Sequence, residues 1–291
     1  MLSKSRAYAA WVVLCLVWGT TYLAIRVAIE SIPPLLMAGV RWIVAGSLLI
    51  AFFRIRGHSL PERRQWLPLA LRGALLIGLG NGAVVWAEQT VPSGLAAVLV
   101  ALVPFWMVGI DALAGGGKAP TVRQIVGLFV GFAGIVLLVS PNTRMVAGTG
   151  FWSGFVATQL ACAGWALGST YARRRGPQDT LSDVAFEMLF GGLLLILCGA
   201  MLGERLGGVM TSRSLGAVVY LIVFGSLVAY SCYRYALQHL PVATLSLYVY
   251  ANTVIAVFLG TLVLGEPFNW WMGTGAGVVL VGIGLVKERS G

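Results

Sequence analysis

Aromatic and polar side chains recur in the middle of long apolar runs of this sequence. In an apolar medium such side chains have no water to bond with, so each needs a partner or serves a function. Indole and phenol rings stack on planar groups and attract cations, while hydroxyl and carboxamide groups donate and accept hydrogen bonds. Together they offer non-covalent recognition of a solute. The set comprises Trp18, Thr21, Tyr22, Asn81, Trp165, Ser169, Tyr230, Asn252 and Thr253.

Three charged residues, Arg41, Glu187 and Glu88, also lie in apolar runs, and a charge in hydrocarbon is costly enough to mark a functional candidate. Arg41 lies roughly 10 Å from one end of its run and could instead extend its guanidinium outward to the headgroups. Glu187 is too short to do so and is the stronger candidate for taking up a coupling proton. About 10 Å of height separates the two, which argues against a direct salt bridge. Glu88 lies nearer the end of its run, where an ordinary interfacial charge is the alternative.

The elements that carry these residues are predicted to be membrane-spanning helices. Of the 291 residues, 58% are hydrophobic and 10% are charged, whereas a soluble domain is about 25% charged. The apolar runs are about twenty residues long, enough for a helix to cross roughly 30 Å of hydrocarbon. We therefore predict an all-α polytopic membrane protein. Its ten spans cover about 7–29, 35–53, 69–88, 93–113, 122–140, 151–172, 182–202, 215–236, 242–264 and 270–286.

The basic residues orient the chain in its membrane. Fourteen of the twenty Lys and Arg residues, Arg72 among them, are predicted on the side of the N-terminus, and three on the other side. By the positive-inside rule, both termini of this multi-pass protein of the cytoplasmic cell membrane are cytoplasmic. The first run is too long for a signal peptide and is predicted to be the first span. The net charge of +10 therefore needs no nucleic-acid partner.

The second half of the chain repeats the first. Trp165 follows Trp18 at an offset of 147 residues, Tyr230 follows Asn81 at 149, and Glu187 follows Arg41 at 146. The spans therefore form two five-helix units, over 7–140 and 151–286. Because five is odd, the second unit begins on the opposite face of the membrane and inserts inverted. That arrangement is typical of secondary transporters.

Four stretches, spread over nearly the whole chain, are typical of a known family. They read "WGTTYLAIRVAIESIPP", "AGVRW", "NGAVVWAEQTVPSGLAAVLVALVP" and "GEPFNWWMGTGAGVVLVGIGLV". With them the chain resembles the EamA family of the drug/metabolite transporter superfamily. The resemblance implies ten helices in two inverted repeats and the export of small metabolites or drugs. This sequence departs from the family at one turn, because the Gly-Glu pair of each half is present as Gly265-Glu266 but reads Gly116-Gly117 in the first half.

These observations predict a secondary transporter that exports its substrate by alternating access. Deep aromatic and neutral polar groups suit a neutral, zwitterionic or aromatic solute such as an amino acid. A phosphorylated solute would want several cations, and the spans contain only Arg26, Arg41 and Arg234. The alternative is a flippase for an amphipathic lipid-linked molecule. Besides the solute, the bilayer and a coupling proton we expect no cofactor, and the protein to be a monomer or a homodimer.

Two groups of spans are predicted to have different roles. Spans one, three, four, six, eight and nine are expected to line the cavity, because their centres carry the polar set. Pro104 in the fourth span is expected to form a kink or gate. Spans five and ten carry glycines at packing distance, Gly127-x-x-x-Gly131 and Gly273-x-x-x-Gly277, and are predicted to be scaffold.

The signals for an enzyme or a metal site fall short. "GGGKAP" at 115–120 lacks the first Gly and the Ser or Thr of a phosphate-binding loop. A hydrolase built on Ser93 or Ser231 has no base in reach, because neither histidine lies at mid-depth. The four cysteines and two histidines form no zinc pattern. We therefore expect neither an enzyme nor a bound metal.

Overall fold

The computed structural model describes residues 2–91, 96, 99–114, 120–139, 151–174, 181–207, 209–264 and 270–286, and nearly all of them are helical. We number the helices in chain order. The first half has α1 (Leu2–Ala28), α2 (Pro34–Ile55), α3 (Arg63–Ala87), α4 (Val103–Leu113) and α5 (Val122–Val139). The second half has α6 (Phe151–Arg174), α7 (Leu181–Met201), α8 (Ser212–His239), α9 in two segments (Val242–Ser246 and Tyr248–Leu264) and α10 (Trp270–Val286).

The helices are apolar along most of their length. α1, α2, α3, α7 and α8 are each long and apolar enough to cross a membrane, while α4, α5, α9 and α10 contain shorter apolar stretches. The predicted all-α class is confirmed for the residues described here. The turns at Gly116-Gly117 and Gly265-Glu266, the GGGKAP stretch except Pro120, and Ser93 lie outside those residues.

Helices α3 and α8 each pass from α-helical to π-helical geometry partway along. The π-helical segments are Ala74–Asn81 in α3 and Leu221–Val228 in α8, and their starts and ends are both 147 residues apart. A π-helix bonds each residue to the fifth along instead of the fourth, and such segments are frequent at functional sites. The two segments therefore lie at repeat-related positions.

The chain is also interrupted at two matching places near α4 and within α9. It turns at residues 101–102, just before α4, and at Leu247 between the two segments of α9. Pro104 lies in the first turn of α4, where its missing N–H removes no intrahelical bond. The interruption thus precedes Pro104, and α9 is interrupted without any proline. The kink predicted at Pro104 is a helix start, because a proline in the first turn begins a helix without bending it.

Glycines bring two pairs of helices into backbone contact. Between α2 and α7, a Cβ added to Gly39 would lie 2.9 Å from the Gly192 carbonyl oxygen, and one added to Gly192 would lie 2.9 Å from that of Gly39. Between α5 and α10, a Cβ on Gly282 would lie 2.5 Å from the backbone nitrogen of Gly131. Lipid is as apolar as the side chains, so membrane helices gain no hydrophobic energy by associating. They gain packing energy instead, because small residues let their backbones approach closely.

Gly277, one of the two glycines predicted to pack α10, makes no such contact among the described residues. A Cβ on Gly277 would meet nothing within 4 Å, whereas one on Gly275 would lie 2.5 Å from the backbone nitrogen of Leu138. The glycines of α10 that contact the α5 backbone are Gly275 and Gly282, seven apart, so they return to the same helix face after two turns. The pair Gly273-x-x-x-Gly277 was chosen from spacing alone, and spacing does not say which face meets the neighbouring helix.

The main helix contacts run between the two halves. α2 packs against α7, α5 against α10, α1 against both α8 and α9, and α6 against both α3 and α4. Each half therefore completes the core of the other. The site described next lies between helices of both halves.

Candidate functional site

A cavity of about 100 Å³ opens between α1, α2, α3, α6 and α9 and the beginning of α4. Its walls mix indole and phenol rings with two carboxamides, one hydroxyl and one guanidinium. The remaining lining is apolar. The polar and aromatic members, with one thiol, are Trp18, Thr21, Tyr22, Arg41, Trp42, Asn81, Cys162, Trp165, Tyr248 and Asn252.

The residues predicted to line a cavity fall into two groups in the structure. Those that line this cavity are Trp18, Thr21, Tyr22, Asn81, Trp165 and Asn252. Ser169, Tyr230 and Thr253 are buried beside it without lining it. The Ser169 hydroxyl donates to the Trp165 carbonyl oxygen at 2.6 Å, and the Thr253 hydroxyl donates to that of Val249 at 3.0 Å. These two hydroxyl groups are thus taken up by their own helices.

The eighth span was predicted to line the cavity, but in the structure helix α2 lines it instead. It contributes Arg41 and Trp42. Helix α8 supports both from behind, because Ser226 accepts a hydrogen bond from Arg41 and the Tyr230 ring lies 5.3 Å from the Trp42 ring. Trp42 had a usable signal in the sequence, an indole next to a mid-membrane charge. Tyr248 had none, because Tyr and Trp are common near helix ends in membranes.

Four rings, which we call the aromatic cluster, pack together at one side of the cavity: Trp18, Trp165, Tyr233 and Tyr248. The repeat-related indoles of Trp18 and Trp165 meet edge to face with ring centroids 5.4 Å apart. Tyr233 lies 5.5 Å from Trp18 and 4.9 Å from Trp165, and Tyr248 lies 5.2 Å from Trp18. Each such pair contributes about 0.5–1.5 kcal/mol beyond the burial of its area. The cluster is therefore tightly packed, and its members Trp18, Trp165 and Tyr248 line the cavity.

Both π-helical segments hold a tryptophan of the cavity wall in place. The indole N–H of Trp18 donates to the carbonyl oxygen of Gly225, within the segment of α8, at 3.0 Å. The indole N–H of Trp42 donates to Oδ1 of Asn81, the last residue of the segment in α3, also at 3.0 Å. The first of these bonds goes to a backbone carbonyl within a π-helical segment, and the second goes to the side chain at the end of one. The segment in α8 thus fixes an indole of α1, and the segment in α3 fixes an indole of α2.

Asn252 ties the two helices that flank the aromatic cluster. With its amide nitrogen turned towards the neighbouring carbonyl groups, it donates to the backbone oxygens of Cys15 and Tyr248, each at 2.9 Å. This orientation follows from the hydrogen-bond network, since an amide oxygen there would face only acceptors. The bonds join α1 to α9. They use the amide nitrogen of Asn252 and leave its amide oxygen as a hydrogen-bond acceptor.

Arg41 is enclosed in the protein and does not reach outward to a headgroup region. It is 2% exposed, and its Nε donates to the Ser226 hydroxyl at 2.8 Å. Its guanidinium carbon lies 4.6 Å from the centroid of the Trp42 ring, a distance at which cation and ring attract. Its Nη1 finds no hydrogen-bond partner among the described residues. The outward extension considered from the sequence is therefore wrong.

Glu187 is fully buried in an ion-pair network that excludes Arg41. Its Oε1 lies 3.0 Å from Nε of Arg72 and accepts a hydrogen bond from Nη2 of Arg234 at 3.2 Å. Its Oε2 accepts the hydroxyl of Tyr230 at 2.9 Å. Asp183 adds a second carboxylate, 3.8 Å from Arg72. We call Arg72, Asp183, Glu187 and Arg234 the charge network.

From the sequence, Arg72 was counted with the basic residues of the cytoplasmic side and not with the cations inside the spans, and that count missed its burial. It is 2% exposed and lies within α3. The third span predicted at about 69–88 already contains Arg72, three residues from its beginning. In the folded chain its helix begins at Arg63. What draws Arg72 inside is Glu187, which is too far along the chain for any local pattern to reveal.

Glu88 is also enclosed, at the end of α3. It is 6% exposed, so it does not face the water beside the headgroups as an ordinary interfacial charge would. Tyr22 and Arg26 of α1 are close enough to interact with it electrostatically. Glu88 is therefore a buried carboxylate that the charge network does not include.

Comparisons with known proteins give this arrangement a context. The model of a family described as the EamA-like transporter family matches residues 5–140 and, a second time, residues 152–287. An uncharacterized inner membrane transporter of Escherichia coli, YedA, is 39% identical over 96% of this chain and 90% of its own length. Protein PecM of Dickeya dadantii is 30% identical over 94% of this chain and 90% of its own. A protein of known crystal structure superposes with a TM-score of 0.81 over 97% of both chains, at 21% identity, and shows the fold alone.

Proposed function

The chain belongs to the EamA-like transporter family, and on that basis we propose that it exports a small solute by alternating access through the cavity beside Trp18 and Trp165. A membrane transporter of small molecules follows from the family and from the relative named an inner membrane transporter. The resemblance found in the sequence is thereby confirmed. The observation that supports the finer proposal is that repeat-related tryptophans, one from each half, meet at one cavity.

In the proposed topology, ten helices cross the membrane, both termini are cytoplasmic, and the second half is inverted relative to the first. The lining then lies between the midplane and the outer surface, because Ile25 is near the outer end of α1 and Val100 precedes α4 on that side. Glu187, near the beginning of α7, then lies in the cytoplasmic half. The cavity of this structure would face outward.

Alternating access requires the cytoplasmic side to open as the outer side closes. In this topology the aromatic cluster and the charge network separate the cavity from the cytoplasm. Tyr230 connects the two, because its ring lies 6.3 Å from that of Trp165 and its hydroxyl donates to Glu187. Opening inward would part α7 from α3 and α8 at the salt bridges of Glu187. The contacts of α5 with α10 would stay fixed as scaffold.

The lining supports a neutral, zwitterionic or aromatic solute, with an amino acid as the leading candidate. Ring faces from the aromatic cluster suit a planar or apolar body, and Asn81 and Asn252 offer amide groups for orientation. Among the lining residues there is one cation, Arg41. A phosphorylated solute, with its higher negative charge, would be poorly matched.

The export proposal is tested by what accumulates outside cells that overproduce the protein. Untargeted mass spectrometry would compare the medium of cells with the intact protein, with a Trp165→Ala, Asn81→Ala double variant, and with no protein. We expect a solute enriched by the intact protein, and a loss of at least about tenfold in that enrichment with the double variant, as for removal of a central binding residue. A Trp152→Ala variant is the matched control, since that indole is 72% exposed and outside the cavity.

The outcomes separate the parts of the proposal. If the intact protein enriches nothing over cells that lack it, export is wrong, and uptake or the flipping of a lipid-linked molecule becomes the better hypothesis. If the double variant exports as well as the intact protein, export stands and the cavity has been assigned wrongly. Equal loss with Trp152→Ala would point to general damage to the fold.

Proton coupling belongs to the same proposal, and we assign the coupling proton to Glu88. Glu187 was the candidate from sequence, but its oxygens are engaged by Arg72, Arg234 and Tyr230, so protonating it would break the charge network. In proteoliposomes, we expect an imposed pH gradient to accelerate transport by the intact protein and to have no effect on Glu88→Gln, which should still equilibrate solute. Unchanged acceleration in Glu88→Gln would remove this residue from the coupling.

A further inference from the structure

We propose that Arg41 binds the carboxylate of the transported solute, and this inference rests on the proposed function. It narrows the substrate class to compounds with one carboxylate and an apolar or aromatic body, zwitterions included. From the sequence, Arg41 was a functional candidate among the intramembrane charges or a side chain extending outward to the headgroups. The structure points instead to recognition of an anionic group.

The guanidinium of Arg41 is held in place with hydrogen-bonding capacity to spare. Its Nε is fixed by Ser226 at 2.8 Å, and its plane is steadied by the Trp42 ring at 4.6 Å. The residue is 2% exposed and lines the cavity, yet Nη1 donates to no group among the described residues. A buried charged donor without an acceptor is costly. An anion in the cavity would remove that cost.

The carboxylate at the repeat-related position is already engaged. Glu187, the repeat mate of Arg41, pairs with Arg72 and Arg234 instead. The cavity lining that the structure describes contains no carboxylate. The charge of Arg41 is therefore not balanced by a residue at the site, and a ligand is the group left to supply the balance.

A carboxylate fits this position better than a phosphate does. The flat guanidinium fork matches the two oxygens of a carboxylate, and such charge-assisted bonds are stronger than neutral ones. One cation balances one negative charge, whereas a phosphate ester carries nearly two and would call for further cations. The rings of Trp18 and Trp165 lie in the same cavity and would take the apolar body of the solute.

Ser226 follows as a positioning residue. Its hydroxyl accepts from Nε, so this bond leaves Nη1 and Nη2 of the guanidinium unused. Because it lies in the π-helical segment of α8, it links Arg41 to the segment that also holds Trp18. We expect Ser226→Ala to raise the concentration for half-maximal transport about threefold while the maximal rate is kept.

The test combines a comparison of variants in cells with a comparison of three ligands on the intact protein, which needs no variant. The media of cells producing the intact protein, Arg41→Lys and Arg41→Gln would be analysed by mass spectrometry at matched membrane abundance. In parallel, purified intact protein would be titrated with L-phenylalanine, 3-phenylpropionate and phenethylamine, with quenching of tryptophan fluorescence as the readout. Phenethylamine is phenylalanine without its carboxylate, so the pair isolates that group even where a variant fails to fold.

We expect the exported solute to carry a carboxylate, and Arg41→Gln to lower its export about tenfold or more, as for a lost charge-assisted bond. Arg41→Lys should be intermediate, because it keeps the charge and loses the fork. The two carboxylates should quench at concentrations about tenfold lower than phenethylamine.

Arg41 as the binding residue is overturned if Arg41→Gln exports normally. A carboxylate substrate is overturned if the exported solute has no anionic group or if phenethylamine binds as well as phenylalanine. Either result would leave the transporter itself standing, whereas no enrichment by the intact protein would overturn the proposed function.

Discussion

Replacing Glu187 by Gln is expected to lower the free energy of unfolding by about 3–5 kcal/mol, the usual cost of removing one partner from a buried ion pair. The carboxamide takes away the negative charge between Arg72 and Arg234, whose side chains are each 3% exposed. Asp183 at 3.8 Å would compensate Arg72 only in part. The measurement is unfolding of the purified protein by SDS in mixed micelles, followed by circular dichroism.

The control for this prediction is an ion pair of the same kind at the surface. Arg64 and Glu62 lie 2.7 Å apart with side chains 80% and 65% exposed, and a pair in water contributes about 0–1 kcal/mol. We expect Arg64→Gln to unfold almost as the intact protein does. A small and equal effect of both variants would mean that the charge network does not stabilise this fold, and the inner barrier proposed from it would lose its support.

Replacing Gly282 by Val is expected to prevent α10 from docking on α5. Even the first added atom, Cβ, would lie 2.5 Å from the nitrogen and 2.6 Å from the Cα of Gly131. Both are backbone atoms, so no side-chain rotation can relieve the clash and the helices must separate. Overpacking of a well-packed core costs about 1–3 kcal/mol and more where the backbone cannot yield. We expect little monodisperse protein by gel filtration in mild detergent.

Gly284 of the same helix provides a matched control. A Cβ there would meet nothing within 4 Å, although the residue has the same helix, depth and change of propensity. Gly284→Val should therefore elute as the intact protein does. If both variants are lost, valine in this helix is the cause rather than the contact with Gly131. If both survive, α5 and α10 are not packed as described.

The sequence was informative wherever a residue and its repeat mate could be compared. The pairing of Trp18 with Trp165 picked out two rings that lie 5.4 Å apart, because related positions in the two halves come close to each other at the centre. Asn81 was found in the same way, although its mate Tyr230 lies behind the lining. Composition alone was sufficient to predict the all-α class. A chain with few charges and long apolar runs satisfies its backbone hydrogen bonds in lipid by forming helices.

What the sequence could not provide were features set by contacts between distant helices. Arg72 was counted with the basic residues of the cytoplasmic side until Glu187 of α7 was placed beside it. The face of α10 that meets α5 could not be chosen from glycine spacing, since several glycines repeat on different faces. The π-helical segments left no mark on apolar periodicity, because an apolar run looks alike at 3.6 or 4.4 residues per turn. Without them, the bond from Trp18 to Gly225 could not be foreseen.

The packing of α2 on α7 and of α5 on α10 has a consequence for biosynthesis. After the last residue of α2 has been added to the chain, residues 56–201 must still be made before α7 is complete. At about 5–20 residues per second that takes roughly 7–30 s. During this time the glycine face of α2 lacks the helix against which it packs in the finished protein, and α5 waits similarly for α10. The nascent first half is therefore not a finished unit, and assembly is completed only when the last helix of the chain arrives.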